Sequence, residues 1–440
     1  MKDVKVSIVM PVYNAAAFLE ESISDLLAQT YTDFELICVN DGSTDDSKRI
    51  IDGFAGKDNR IRLISQENRG GGAARNSGYD ETSGEYILFL DADDRFEKDL
   101  IEKTVTVAEQ EQCDVLIFAA DEFHFDTGKK RPAPWLLQSG YDDYDGNPFH
   151  YTTSTVWNKL YRREFLIDNS IRFMDERVIA DAMYFVFFAL AKASRISFLD
   201  DVLIHYRSMN PHSTTSRHDS RPLDILTVLE TIWNRVKDDE ELLEKKSIYI
   251  NFAVKYLFER MGWFKSCDGL SQVYNALHSD GFSRIGLTED NDRYIEDINW
   301  KNLKNRIIEN DLPEYLFFRD KSYKSKGLLT KTVYLLPDEI QNKLGRKDCT
   351  VALYGAGMVG KCYFPQLQSI PTAKVVTWVD AKYDVIGYPL QSPEVLKDTV
   401  VDYIVIGIEH NKFLSEIEEK LGAMGIAKEK ILWAVPEKQL

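Results

Sequence analysis

The chain has 440 residues, a formal net charge of -17, 44% hydrophobic residues and 28% charged residues. This length exceeds what one hydrophobic core usually serves, so we expect two or three domains. The composition is ordinary for a soluble globular protein. The negative charge argues against binding nucleic acid or an anionic membrane through the global field.

The cysteines and the N-terminus favour a cytoplasmic protein. The cysteines form no CxxC pair, and we expect reduced thiols without a metal or disulfide role. The first residues read as a strand and lack the apolar core of a signal peptide, and no run approaches the ~18 apolar residues of a membrane span. The cysteines are Cys38, Cys113, Cys267, Cys349 and Cys362.

The first ~110 residues alternate apolar strands with amphipathic helices. Apolar strands joined by helices predict a mostly parallel sheet that is covered on both faces. Ligands bind beyond the carboxyl ends of such strands. In the turn after the second strand, Asp41, Ser43 or Thr44 is a candidate helix cap. Four polar residues follow strand ends and should line one rim: Asn14, Asp41, Asn68 and Asp91.

The rest of the chain divides into three parts. Residues 111–215 are less regular, with a strand pair in CDVLIFAADEFHF, helices in TVWNKLYRREFLIDNSIRF and ADAMYFVFFALAKA, and two short strands in ISFLDDVLIHYR. Apolar residues recur at helical spacing over residues 220–345. We interpret this segment as a packing element or, alternatively, as a binding surface for the acceptor or a partner. The last part returns to an α/β pattern, after a basic stretch, RDKSYKSKGLLTK, that we interpret as a linker.

An acidic triplet ends the fourth strand, in ILFLDADDR. Asp91 and Asp93 lie two residues apart on a turn, where both carboxylates can converge on one hard cation such as Mg²⁺ or Mn²⁺. The cation would relieve their repulsion and bind a diphosphate. The alternative is a solvated surface turn.

Two further motifs lie on the same predicted rim. Asp41 can accept hydrogen bonds from a base or from ribose hydroxyls, or it can cap a helix. The stretch NRGGGAARNSG combines the close-approach glycines Gly70, Gly71 and Gly72 with Arg75. Arg75 can pair with phosphate, or it can form a structural ion pair.

Together these motifs resemble the family 2 inverting glycosyltransferases, which have the GT-A fold. The similar pieces run from VSIVMPVYNAAAFLEESISDLLAQTYTDFELICVNDGSTDDS through ENRGGGAARNSG and GEYILFLDADD. They continue in VWNKLYRREFL, ADAMYFV and HYRSMNPHSTTS. Several independent motifs in the family's order make the resemblance specific over residues 4–218.

The resemblance implies a nucleotide-sugar donor, usually a UDP-sugar, and a divalent cation, Mn²⁺ or Mg²⁺. It implies that Asp91 and Asp93 bind the cation, with Asp93 the more direct ligand. It further implies that Asp181 deprotonates the acceptor hydroxyl. Nucleotide contacts are expected at Pro11, Tyr13, Asp41, Gly70, Arg75 and Asp91.

Two further positions bear on the predicted base and the predicted metal site. The family usually carries a Glu-Asp pair at the base, but here Ala180 precedes Asp181, which leaves base strength or acceptor binding open. Asp181 is alternatively a helix N-cap. His212, in NPHSTTS, is a candidate third metal or diphosphate contact, or a plain surface residue.

The C-terminal part contains YGAGMVG after a strand, which fits G-x-G-x-x-G. The motif predicts a second nucleotide site, formed by Gly355, Gly357 and Gly360 with Asp380 as the ribose-binding acid. It resembles the small nucleotide-binding-like domains appended to several polysaccharide-biosynthesis enzymes. A packing, dimerisation or partner module is the alternative.

We therefore expect an α/β protein with a GT-A domain at 1–218, a helical segment at 219–345 and a small Rossmann-like domain at 346–440. The expected function is metal-dependent transfer of a sugar to a glycan or lipid-linked acceptor in surface polysaccharide or cell-wall synthesis. Alternatives are a nucleotidyltransferase, a non-catalytic nucleotide-sugar-binding scaffold, and an NAD-binding oxidoreductase built on the C-terminal domain. Peripheral membrane contact and homo-oligomerisation are left open.

Overall fold

The chain forms two compact units in a computed structural model. One unit comprises residues 1–217 and 227–249, and the other comprises residues 218–226 and 250–440. The predicted three-domain division at 218 and 345 stays a prediction. The structure describes residues 4–138, 141, 144–208, 220–264, 267–309, 333–381, 383 and 390–439.

The first half of the first unit is the predicted parallel sheet. Strands β3, β2, β1 and β4 lie side by side in that order and run parallel. Their apolar side chains are buried because helices cover the faces. The chain order reverses between β1 and β4, and the crevice at such a point is where α/β sheets bind ligands. The elements are β1 Val6–Val12, α1 Ala16–Leu27, β2 Phe34–Asp41, α2 Ser47–Ala55, β3 Ile61–Gln66, α3 Gly71–Asp80 and β4 Tyr86–Phe89.

The sheet continues with strands β8, β6, β9 and β5, and β7 pairs with β6. Strand β8 lies antiparallel to both β4 and β6, so the sheet is mixed. The elements are β5 Arg95–Phe96, α4 Leu100–Glu111, β6 Val115–His124, β7 Lys130–Pro132, β8 Lys159–Arg162, α5 Arg163–Asp168, α6 Asp181–Lys192 and β9 Ile196–Ser208.

Three local predictions in this half are wrong. The expected strand pair at 113–125 is the single strand β6, and the expected two strands at 196–207 are the single strand β9. These strands pair along their whole length, and register shifts near Ala119 bend them without ending them. The expected helix at 155–173 contains strand β8 before the short helix α5, because Leu160 and Tyr161 lie in the middle of the sheet.

The described residues 220–309 of the predicted helical segment are mainly helical, but Val333–Leu335, which the prediction also placed in that segment, form a strand instead, because they pair with Glu437–Gln439. Residues 227–249 pack in the first unit, where the Arg235 guanidinium lies 4.2 Å from the centre of the Phe188 ring and donates to the Asn169 carbonyl at 2.9 Å. The helices are α7 Asp224–Lys237, α8 Glu240–Glu244, α9 Lys246–Met261, α10 Cys267–Ala276, α11 Phe282–Arg284 and α12 Ile298–Ile308.

The C-terminal part forms a small parallel sheet in the order β12-β11-β13-β14, and β10 pairs antiparallel with β15. The predicted final strand at 430–435 is shorter, because only β14 pairs there. The basic stretch expected as a linker lies outside the described residues. The elements are β10 Val333–Leu335, α13 Asp338–Leu344, β11 Cys349–Tyr354, α14 Met358–Gln368, β12 Ala373–Val379, β13 Tyr403–Ile406, α15 Leu414–Ala423, β14 Ile431–Leu432 and β15 Glu437–Gln439.

None of the helices in the described part of the chain combines the length and the apolar character that crossing a membrane requires.

Candidate functional site

Asp41 holds the glycine-rich turn that leads into α3. Its side chain is buried at the end of β2. One carboxylate oxygen accepts from the Gln66 amide at 2.8 Å and from the Arg69 backbone N–H at 2.9 Å. The other oxygen accepts from the Gly70 N–H at 2.9 Å. Gly70 has φ +95, a conformation that side chains disfavour, so this turn requires glycine.

The helix-capping alternative for the turn after β2 is wrong for Asp41, Ser43 and Thr44. Helix α2 begins at Ser47 with Asp46 in the N-cap position. The Asp45 carboxylate accepts from the Ser47 N–H at 3.0 Å. Asp41 does not cap this helix, because its carboxylate oxygens accept hydrogen bonds from Gln66 and from the glycine-rich turn.

The two glycines that begin α3 leave little room for a side chain at their positions. A methyl group on Gly72 would lie 2.7 Å from the Met174 carbonyl oxygen and 3.0 Å from Asp181 Oδ2. On Gly71 it would lie 3.3 Å from the same carboxylate oxygen. These two glycines therefore allow the backbone of α3 to approach Asp181, a contact within the chain that the sequence did not predict.

Arg75 joins two carboxylates that are far apart in the sequence. Its Nη2 donates to Asp91 Oδ1 at 2.8 Å, and its Nη1 donates to Asp181 Oδ2 at 3.1 Å. The guanidinium also lies 5.5 Å from the centre of the Phe173 ring. Burial alone would lower the pKa of Arg75, but Asp91 and Asp181 raise it above its usual value. Arg75 is therefore a permanent buried cation between the two acids.

Asp181 is the first residue of α6. Burial raises the pKa of the Asp181 carboxyl, while Arg75 lowers it in part. The preceding Ala180 has φ 82, a left-handed conformation that costs a non-glycine residue on the order of 1–2 kcal/mol. A strained backbone thus precedes the carboxylate at the predicted position of the base.

The acidic loop, residues 91–94, follows β4 at the switch point of the sheet. Asp94 is fully buried, and its Oδ1 accepts from the Arg207 N–H at 2.8 Å. Burial, then Asp93, then Asp91, raise the pKa of Asp94 well above its usual value. Its Oδ2 has no hydrogen-bond partner among the described residues. The loop therefore carries crowded negative charge.

The acidic loop fits a hard divalent cation. Carboxylate oxygens are the ligands that Mg²⁺ and Mn²⁺ prefer. A cation would offset the negative charge of Asp93 and Asp91, which adds to burial in raising the pKa of Asp94. Among the described residues, no three His, Cys, Asp or Glu side chains form a metal-binding group. His212, the predicted third ligand, lies outside the described residues.

The other predicted contacts lie along the same edge of the sheet. Pro11 is part of β1, in register with Val39 of β2. Tyr13 directly follows β1, and its side chain is 45% exposed. The structure thus brings Pro11, Tyr13, Asp41, Gly70, Arg75, Asp91, Asp93 and Asp181 to the carboxyl edge of the parallel strands. Their roles stay predictions.

Two buried basic residues were not predicted from the sequence. Lys159 is fully buried, and its ammonium donates to the Thr155 carbonyl at 2.7 Å and to Asn158 Oδ1 at 2.9 Å. Burial lowers its pKa well below the usual value. Arg207 contacts the acidic loop. Lys159 lies inside the aromatic strand motif WNKLY and Arg207 ends the motif HYR, and that position was the only available signal.

The second predicted nucleotide site has a packing explanation for its glycines. Gly355 has φ +103, and a methyl group on Gly360 would lie 1.9 Å from the Gly355 carbonyl oxygen. Asp380 Oδ2 accepts from the Ala356 N–H at 2.7 Å, so this carboxylate binds the loop of its own domain. Gly357 faces open space. Nucleotide binding at Gly355, Gly357, Gly360 and Asp380 stays a prediction.

Comparison with known proteins points to one family. A family model described as Glycosyl transferase family 2 matches residues 7–169. A Bacillus subtilis protein named "Putative glycosyltransferase EpsH" is 35% identical over 265 residues, which cover 58% of this chain and 75% of that protein. Another from the same organism, EpsJ, is 34% identical over 223 residues, and the alignment covers 48% of this chain and only 62% of that relative.

A solved structure gives the same fold. The Staphylococcus aureus protein TarS, residues 1–349 in complex with UDP-GlcNAc, superposes with a TM-score of 0.61 at 22% identity. The superposition covers 76% of this chain and 95% of that chain. At this identity the likeness establishes the fold alone.

Proposed function

This chain belongs to glycosyltransferase family 2, a family of transferase enzymes, and from that premise we propose that it transfers a sugar from a UDP-sugar, with inversion, to an acceptor hydroxyl. The predicted family and the GT-A fold are confirmed. We further propose that the reaction is metal-dependent and that the acceptor is a glycan or a lipid-linked sugar in surface polysaccharide synthesis. The observation that carries the proposal is Arg75 between Asp91 and Asp181.

The Arg75 bridge supports a donor site and an acceptor site side by side. Asp91 belongs to the acidic loop, which would hold the donor diphosphate through a cation. Asp181 stands on the other side of the same guanidinium, where it would face the acceptor. The Asp91 carboxylate lies 2.8 Å and the Asp181 carboxylate 3.1 Å from the Arg75 guanidinium, so one buried group fixes the positions of both. Such positioning is a large part of catalysis.

Asp91 and Asp93 would hold the cation. When bound, a divalent cation stabilises the negative charge of the departing diphosphate. Asp41 and the exposed Tyr13 flank the neighbouring strand ends, where a nucleoside would lie. Gly70, in a backbone conformation open only to glycine, would allow the turn to approach the donor.

Asp181 would act as the general base. A carboxylate whose pKa is raised accepts a proton more readily at neutral pH, and burial raises the pKa of this one. Asp181 would take the proton of the acceptor hydroxyl. The oxygen would form its bond to the anomeric carbon as the bond from that carbon to the diphosphate oxygen breaks on the opposite face. One displacement inverts the anomeric configuration.

The names of related proteins motivate the choice of donors. TarS has been solved with UDP-GlcNAc. A Borreliella burgdorferi relative that is 27% identical over 268 residues carries the name cholesterol galactosyltransferase. We therefore place UDP-sugars first among donors.

The test is nucleotide release from a panel of UDP-, GDP- and dTDP-sugars with Mn²⁺ or Mg²⁺. We expect release from one UDP-sugar that requires metal and that Asp93→Ala abolishes. Asp52→Ala is the matched control, because Asp52 is an exposed helix carboxylate paired with Lys48, and it should release nucleotide at the wild-type rate.

Two results would contradict the proposal. Nucleotide release that does not require metal would show that the reaction needs no cation at the acidic loop. Binding of a UDP-sugar without release, even with acceptor mixtures, would favour a non-catalytic nucleotide-sugar-binding protein, and Ala180 in place of the family's usual Glu would then be the leading explanation.

A further inference from the structure

Arg207 makes two hydrogen bonds to the acidic loop, one from its backbone N–H and one from its side chain. It lies near the end of β9 and is 9% exposed. Its backbone N–H donates to Asp94 Oδ1 at 2.8 Å, and its Nε donates to the Asp93 carbonyl oxygen at 2.7 Å. A charged donor gives a stronger hydrogen bond than a neutral one. Arg75 binds the loop only through the Asp91 carboxylate, whereas Arg207 binds both the Asp94 carboxylate and the backbone carbonyl of Asp93.

The Arg207 guanidinium is held in place by other groups. It lies 4.8 Å from the centre of the Phe18 ring and 4.5 Å from that of Phe123. Its Nη2 donates to Glu21 Oε2 at 3.2 Å. Phe18 and Glu21 belong to α1, and Phe123 belongs to β6. The guanidinium therefore has few alternative positions, and its hydrogen bond to Asp93 is preorganised.

The rest of the loop backbone is fixed from the same helix. The Ser22 hydroxyl of α1 lies 2.7 Å from the Ala92 carbonyl oxygen and 2.8 Å from that of Asp94. The single Ser22 O–H can donate to one of these two carbonyls at a time, and together with the Arg207 bond to the Asp93 carbonyl it restrains the backbone of residues 92–94 from outside the loop. Mutually repelling carboxylates would otherwise spread apart, so this restraint keeps them together.

We propose that Arg207 is a positioning residue for the donor site. It orients the acidic loop so that the Asp91 and Asp93 carboxylates stay directed at a bound cation and diphosphate, and the loss of such supporting contacts typically weakens metal binding 10–100-fold. This inference rests on the proposed function for its ligand, whereas the restraint of the loop itself can be measured without any ligand.

The first experiment is hydrogen–deuterium exchange of the ligand-free full-length chain. In Arg207→Met, which keeps an unbranched side chain between the two rings, we expect the amides of the acidic loop to exchange roughly tenfold faster. Arg95→Met is the matched control. Arg95 also approaches Glu21, at 3.5 Å, and it pairs with Asp25 of α1. The Arg95→Met substitution therefore removes a comparable ion pair. We expect less than a ~2-fold change there.

The second experiment measures Mn²⁺ affinity in the presence of UDP by electron paramagnetic resonance. We expect roughly tenfold weaker binding in Arg207→Met, about threefold weaker binding in Arg207→Lys, and no change in Arg95→Met. Nucleotide release by Arg207→Met should recover at high Mn²⁺ concentration, because only the positioning of the ligands is impaired. A purely structural role would lower thermal stability without this recovery.

The outcomes separate the two proposals. Unchanged loop exchange in Arg207→Met, or equal changes in Arg95→Met, would overturn the positioning role. If Arg207→Met does not fold, Arg207→Lys decides by the same two measurements, and wild-type exchange and affinity in it would overturn the role. If the wild-type chain does not bind Mn²⁺ and UDP, the proposed function fails, while loop exchange still decides whether Arg207 restrains the loop.

Discussion

The sharpest prediction concerns Gly72, the second residue of α3. In Gly72→Ala the added methyl group would lie 2.7 Å from the Met174 carbonyl oxygen and 3.0 Å from Asp181 Oδ2. Alanine in a helix is worth at most about 1 kcal/mol over glycine. Forcing a methyl group into a packed site costs about 1–3 kcal/mol, and a 2.7 Å contact with a backbone oxygen falls in the upper part of that range, about 2–3 kcal/mol. We therefore expect a net loss of about 1–2 kcal/mol, together with displacement of Asp181 from Arg75.

Gly53→Ala is the matched control, since Gly53 lies in the exposed face of α2 and a methyl group there has nothing within 4 Å. It should raise the free energy of unfolding by about 0.5–1 kcal/mol, the ordinary helix propensity difference. Urea unfolding should place the free energy of unfolding of Gly72→Ala below that of the wild type and that of Gly53→Ala above it. The two variants should differ from each other by roughly 2 kcal/mol.

Activity provides the second measurement. A displacement of about 1 Å at a catalytic group can cost on the order of 100-fold in rate. We expect nucleotide release by Gly72→Ala to fall by that factor, while Gly53→Ala keeps the wild-type rate. The reasoning is refuted if Gly72→Ala is as stable as Gly53→Ala and equally active, because the close approach of α3 to Asp181 would then have no consequence.

Three further changes follow from the geometry. Ala180→Gly should raise the free energy of unfolding by about 1 kcal/mol, because it relieves a left-handed alanine at φ 82, as measured by urea unfolding. Gly360→Ala should destabilise the C-terminal sheet by about 3 kcal/mol, because its methyl group would lie 1.9 Å from the Gly355 carbonyl oxygen; hydrogen exchange of β11 and β12 reports this. Glu259→Gln should stabilise the chain increasingly as pH rises. Burial raises the Glu259 pKa above 4.5 although Lys255 and Arg260 oppose it, so the folded state holds the proton more tightly than the unfolded chain, and the stability tied to that proton is lost above about pH 4.5. Urea unfolding at about pH 5 and about pH 8 measures the difference.

Each of these changes has a contrary outcome. Lower stability in Ala180→Gly than in wild type would show that the strain is absent. Gly422→Ala, on the open side of α15, is the control for Gly360→Ala, and similar stability in both would contradict the close packing. A pH-independent gain in Glu259→Gln would show that the Glu259 carboxyl is ionised freely in the folded chain.

Much of the first unit was accessible from local patterns. Strand and helix periods over the first 110 residues are set by neighbouring side chains, so they predicted the parallel strands and the edge where Asp41 and Asp91 lie. The predictions failed at β6 and β9, because bulges that bend a long strand resemble a strand end in the sequence. They failed again at β8, where burial in the sheet overrides helical spacing.

The amino-acid sequence by itself determined the family, the acidic loop at the end of β4 and the position of Asp181, since these depend on residues in short, ordered motifs. Only the tertiary structure decided that Arg75 bridges Asp91 and Asp181, that Gly72 makes room for Asp181, and that Arg207 binds the backbone of the acidic loop. Each of these contacts joins segments far apart in the chain. They arise from how the strands and helices pack, and packing over such separations leaves no periodic pattern in the sequence.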